Sequence, residues 1–116
     1  MPDPLIDNER ANQEVLLVYC NVPDSMAANR IAKQLVADRR AACVNIREGV
    51  QSIYIWGGQV RSEEEVTLAI KTTRQNYAEL EKAVLGMHPY ELPELIAIPI
   101  KIGSQKYLEW VEGSIK

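Results

Sequence analysis

A chain of 116 residues, 47% hydrophobic and 25% charged with a net charge of −3, has the size and balance of one globular domain around one core. Its basic residues are scattered, the tightest cluster being Arg39-Arg40, so it lacks the concentrated basic face that holds nucleic acid. No run approaches the roughly 20 apolar residues that span a bilayer, and residues 1–13 have neither the basic start nor the apolar centre of an export signal.

Those first thirteen residues, with Pro2, Asp3, Pro4, Asp7, Glu9 and Arg10, are expected to be a polar tail, leaving 14–116 as the domain. Residues 14–22 (EVLLVYCNV) form a nearly continuous apolar run, the pattern of a central strand buried on both faces. Pro23 ends it, and Asp24 or Ser25 can cap the helix that follows. Over residues 26–39, Ala28, Ile31, Ala32, Leu35 and Val36 recur at helical spacing, with Arg30, Lys33, Gln34 and Asp38 on the other face.

Residues 42–46 return to strand character, and Gly49 marks a bulge before the β-prone stretch 50–56 (VQSIYIW). Gly57-Gly58 is a turn signal, and residues 65–73 (EVTLAIKTT) alternate in polarity, so 42–73 reads as one long hairpin. Thr73 is a candidate cap for a second helix with the stripe Tyr77, Leu80, Val84 and Met87. The prolines at 89 and 93 keep residues 88–94 out of a helix. Residues 95–102 (LIAIPIKI) read as the fourth strand, with Pro99 assigning it to a sheet edge or a bulge. Ser104 can cap a short last helix carrying Tyr107, Leu108 and Val111.

Strand, helix, strand, strand, helix, strand is the α+β order of a ferredoxin-like split β-α-β sandwich, with both helices on one face of the sheet. Along the hairpin arm, Val50, Tyr54 and Trp56 share one side while Ile53 and Ile55 share the other. Two apolar sides exceed what one small domain can cover, which predicts self-association through the arms.

The sequence holds no G-x-S-x-G, no H-E-x-x-H, no phosphate-binding glycine loop and no C-x-x-C, so no enzymatic machinery is expected. Cys20 and Cys43 lie too far apart for a zinc knuckle, and as reduced thiols they fit a cytoplasmic protein. Cys20 ends the first strand, where ligands gather in open sheets, but its residue type in that run favours a buried structural thiol. His88 follows a helix and opens a stiff loop with Tyr90, Glu91 and Glu94. It suits a ligand site or a helix C-terminal contact.

Taken in order, Ala41-Ala42-Cys43-Val44-Asn45, Ser52-x-Tyr54-x-Trp56, Glu65-Val66 with Lys71-Thr72, His88-Pro89-Tyr90-Glu91-x-Pro93-Glu94 and Tyr107-Leu108-x-Trp110 resemble the CutA family of divalent-cation tolerance proteins. The resemblance runs from about Val15 to Trp110. It implies a cytoplasmic homotrimer with a ferredoxin-like subunit, related in architecture to the PII signalling proteins, with divalent metal ions as partners and room for a protein partner as well. It implies a role in tolerance to copper or another divalent cation and no organic cofactor. It also carries a copper site onto Cys20 and His88, although Met87 stands where some members have a second histidine. A thioether ligates Cu(I) but is a poor substitute for imidazole towards Cu(II). The alternative implied by the PII likeness is a regulatory trimer binding a small ligand in intersubunit clefts, lined by Trp56, Lys71, Tyr90, Glu91 and Glu94. Asn21 replaces a commoner threonine or serine, with little consequence expected.

Overall fold

The structure, a computed structural model, describes residues 5–7 and 14–116. Within the expected tail, Leu5–Asp7 form a short strand, β1; the rest of that stretch lies outside the described residues. The other elements are β2 (Val15–Val22), α1 (Ser25–Ala37), β3 (Cys43–Trp56), β4 (Gln59–Thr73), α2 (Tyr77–Met87), β5 (Leu95–Pro99), β6 (Ile102–Ser104) and α3 (Gln105–Ser114). The result is a mixed α+β unit with a four-stranded antiparallel sheet in the order β3-β4-β2-β5 and a separate β1-β6 pair. No helix among the described residues is long and apolar enough to cross a membrane.

β2 occupies the middle of the sheet because its side chains can be buried. Leu16, Val18, Cys20 and Val22 meet Leu68, Ile70, Leu80, Val84, Ile31 and Leu35 in one core, which places α1 and α2 over the same face. Leu17, Tyr19 and Asn21 point the other way and are half-buried, so the strand is fully covered on one face rather than on both. Val15 alone on that second face is buried, in a small cluster with Leu108 and Val111 of α3.

Asp24, extended at φ −156°, caps α1 by accepting the Ala27 N–H at 2.8 Å; Ser25 instead donates to Glu48 at 2.7 Å. Thr73 does not cap α2. It is the last residue of β4, and a turn separates it from the helix, with Asn76 at the N-cap position. The Asn76 amide reaches back to the Arg40 carbonyl at 2.7 Å, which ties α2 to the start of the hairpin. Ser104 does sit before α3, but its hydroxyl makes no capping bond. The expected strand over 95–102 is two strands. β5 is an edge, as Pro99 requires, and its ladder with β2 ends where Pro99 faces Leu16; β6 then turns to β1.

β3 and β4 pair from Cys43 opposite Lys71 out to Trp56 opposite Gln59, with a register shift between Arg47 and Val50. Gly49 lies in that bulge at φ +73°, and Gly57 and Gly58, at +62° and +76°, turn the tip. The outer hairpin projects from the body. The molecule measures 55 × 26 × 22 Å with a radius of gyration of 15.4 Å, against about 13 Å for a compact chain of this length.

Candidate functional site

Asn21, at the end of β2, is the floor of a cleft of about 580 Å³. One wall is the arm: Tyr54 and Trp56 from β3, and Arg61, Glu63 and Glu65 from β4. These five share a face because strand side chains alternate and the Gly57-Gly58 turn aligns Tyr54 with Arg61 and Ser52 with Glu63. The other wall is the loop after α2, through Pro89, Tyr90, Glu91, Leu92 and Glu94.

That loop begins where α2 must stop. Pro89 disfavours helical geometry for the residue before it, and His88 is extended at φ −74°, ψ 135°. His88 is then held at both ring nitrogens. Nε2–H donates to the Asn21 carbonyl at 2.8 Å, while Nδ1 accepts the Tyr90 N–H at 3.1 Å. The Tyr90 N–H can only donate, so the second bond assigns the imidazole proton to Nε2. The Tyr90 ring packs at 4.8 Å from the imidazole, and its hydroxyl donates to Glu65 at 2.8 Å, joining loop to arm across the cleft. Asn21 completes the frame: its side-chain carbonyl accepts from Thr67 at 2.6 Å, and its amide donates to Glu94 at 3.2 Å. The Asn21 amide thus spans two partners that lie on either side of β2.

Four carboxylates against the one guanidinium of Arg61 make the described lining strongly acidic. Burial, the bond to Glu65 and the charges of Glu65 and Glu63 all raise the Tyr90 hydroxyl well above its ordinary value. The bond from Tyr54 to Glu63 raises Tyr54 too. Burial, reinforced by Glu94 and Glu65, pushes the Cys20 thiol up to about 12.

Of the residues expected from the sequence, Trp56, Tyr90, Glu91 and Glu94 come together here. Lys71 does not. It lies in the body of the sheet opposite Cys43 and Leu17, with its ammonium donating to Asn45. Nor do the residues present fit the copper ion that Cys20 and His88 were expected to hold. Cys20 is fully buried in the core, where a thiolate is disfavoured. His88 has both nitrogens engaged, and Met87 packs against the same core. Among the described residues no group of three or more His, Cys, Asp or Glu is placed to hold a metal ion. Asn21, Tyr54, Arg61, Glu63 and Glu65 join the site beyond the residues that the sequence indicates. The last four were accessible from the hairpin register, once the two-glycine turn is taken as the fixed point.

The site is an acidic, aromatic-walled cleft between a projecting hairpin and a proline-stiffened loop, on a small α+β unit. Residues 16–114 match the sequence model of the CutA1 divalent ion tolerance protein. The chain belongs to that family. It is 44% identical over 99 residues to the "Divalent-cation tolerance protein CutA" of Thermus thermophilus, covering 85% of this chain and 94% of that one. It is 43% identical over 101 residues to "Protein CutA, chloroplastic" of Arabidopsis thaliana, covering 87% of this chain but 56% of the longer plant protein. The crystal structure of CutA1 from Oryza sativa superposes with a TM-score of 0.88 at 39% identity, over 92% of this chain and 98% of that one.

Proposed function

We propose that this chain serves divalent-cation tolerance as a non-enzymatic homotrimer of ferredoxin-like, PII-related subunits, and that its ligand binds in the cleft between arm and loop. The observation that carries the reading is the cleft itself, an acidic and aromatic space framed by rigid bonds around Asn21 and His88. The trimer is supported by what one subunit leaves uncovered. Ile53, Ile55 and Val60, 69%, 70% and 73% exposed, line the arm face opposite the cleft, and Ile96 and Ile98 of β5 are exposed on the open face of the sheet. Family membership supports the tolerance role, and two free cysteines suit a reducing cytoplasm. Direct copper ligation by Cys20 and His88 finds no support in the geometry.

A thermal-shift series with divalent metals beside a set of small charged organic molecules tests this, since only a ligand of the native state raises its apparent stability. The reading expects stabilisation by at least one probe and its loss in Glu94→Gln and Tyr90→Ala. Stabilisation unchanged in both variants would remove the cleft from the function.

A further inference from the structure

We propose that the cleft recognises an organic cation of the alkylammonium class, rather than a bare metal ion or an anion. This deepens the reading of the cleft as the ligand site and rests on it. Three aromatic side chains line the space, Tyr54 and Trp56 from the arm and Tyr90 from the loop, and all three remain partly exposed. Aromatic walls attract cations through the negative faces of their rings, and the attraction grows as the cation is desolvated.

The charges in the cleft have the matching sign. Glu63, Glu65, Glu91 and Glu94 face Arg61, whose Nε donates to the Trp56 carbonyl at 3.3 Å. An anion would therefore meet a net repulsive field. Burial comes first in raising both Tyr90 and Cys20, followed by Glu65 and Glu63 at Tyr90 and by Glu94 and Glu65 at Cys20.

The arrangement of those carboxylates offers no preformed all-protein cage for the small hard metals. Calcium takes six to eight oxygens and magnesium six, and a dedicated protein site for either converges several of them on one point, with water supplying the rest. Here Glu63 accepts from Tyr54, Glu65 from Tyr90 and Glu94 from Asn21, and among the described residues no three acidic, histidine or cysteine side chains are grouped to hold an ion. Glu63 and Glu65 are thus held on the arm and Glu94 against the end of β2. Negative charge spread along a cleft of about 580 Å³ suits a bulky, weakly hydrated cation that fills the space. The two tyrosine bonds strengthen the match, because a phenol donating to a carboxylate is polarised towards a more electron-rich ring.

The test is isothermal titration of the native oligomer at constant ionic strength with four probes: tetramethylammonium, tert-butanol as its uncharged counterpart, acetate, and Mn²⁺. Tetramethylammonium is expected to bind. Tyr90→Leu should weaken it roughly 2- to 30-fold, the span from exposed to desolvated cation–π contacts, and Glu63→Gln should weaken it through the lost charge. Lys71→Met, away from the cleft, should leave it unchanged, and all variants should keep the parent mass and melting temperature to within a few degrees. Equal binding of tert-butanol would overturn the role of charge. Binding of acetate or Mn²⁺ in place of tetramethylammonium, sensitive to Glu63→Gln, would overturn the ligand class while preserving the cleft as the site. Silence from all four probes, with no stabilisation by any molecule in the thermal-shift series, would overturn both.

Discussion

Cys20 and Asn21 are neighbours whose side chains leave β2 on opposite faces, and that one alternation decides their roles. Asn21 enters the polar frame of the cleft, whereas Cys20 enters the apolar core between Leu68 and Leu95 in register. Its thiol is raised from an ordinary 9.0 to about 12, first by burial and then by Glu94 and Glu65. The unfolded chain thus ionises Cys20 before the folded one does. The stability this group contributes is complete below about pH 9 and falls as pH rises towards 12, at up to about 1.4 kcal/mol per unit. Tyrosines with raised values add to the loss only above about pH 10. Urea titrations between pH 8 and 10 should therefore show falling stability in the parent and a flatter profile in Cys20→Ala, whatever the variant's absolute stability. Parallel profiles would mean that Cys20 ionises as easily in the folded protein as in the unfolded one. At the same scale, His88 could be read from the sequence as either ligand or helix-end contact. The choice needed the Asn21 carbonyl, which is 67 residues distant in sequence and invisible to any local pattern.

Among the elements, the hairpin was the most legible and the chain after α2 the least. Alternation in β4, the glycine pair at the tip and the single glycine at 49 together specify strand, turn and bulge, and each uses a local rule. The division of residues 95–104 into β5 and β6 is not local. It depends on β1 being available as a partner, and residues 5–7 carry too little pattern to announce a strand. Thr73 misled for a related reason: threonine is a good cap, but pairing with Val15 keeps it in the ladder. Lys71 was drawn towards the site by its place in a motif, although its position on β4 puts it well inside the body of the sheet. The bulge offers a direct check on this account. A Cβ at Gly49 would meet nothing within 4 Å, so Gly49→Ala is resisted by the backbone alone, at φ +73°. It should lower stability by about 1–2 kcal/mol in denaturant titration. A neutral result would show that the bulge tolerates a different backbone conformation at that point.

For the molecule as a whole, the two faces of the arm differ in character. The face bearing Tyr54, Trp56, Arg61, Glu63 and Glu65 belongs to the cleft, and the face bearing Ile53, Ile55 and Val60 has no cover within its own subunit. In the proposed cyclic trimer each arm would lay that second face on a neighbour, and the ring would close without leaving a free arm to recruit further copies. Burying three such side chains contributes on the order of 1.5–3 kcal/mol each, enough that one charge placed among them opposes assembly. The parent should sediment at roughly three times its 13.1 kDa chain mass. Ile55→Asp should shift it towards the monomer at micromolar concentration, whereas Glu63→Gln, on the cleft face of the same arm, should leave the mass unchanged. If Ile55→Asp stays trimeric, the subunits meet elsewhere, and the open sheet face around Ile96 and Ile98 becomes the surface to substitute next. If Glu63→Gln dissociates instead, the cleft face is itself the subunit contact, and the ligand reading of that wall falls with it.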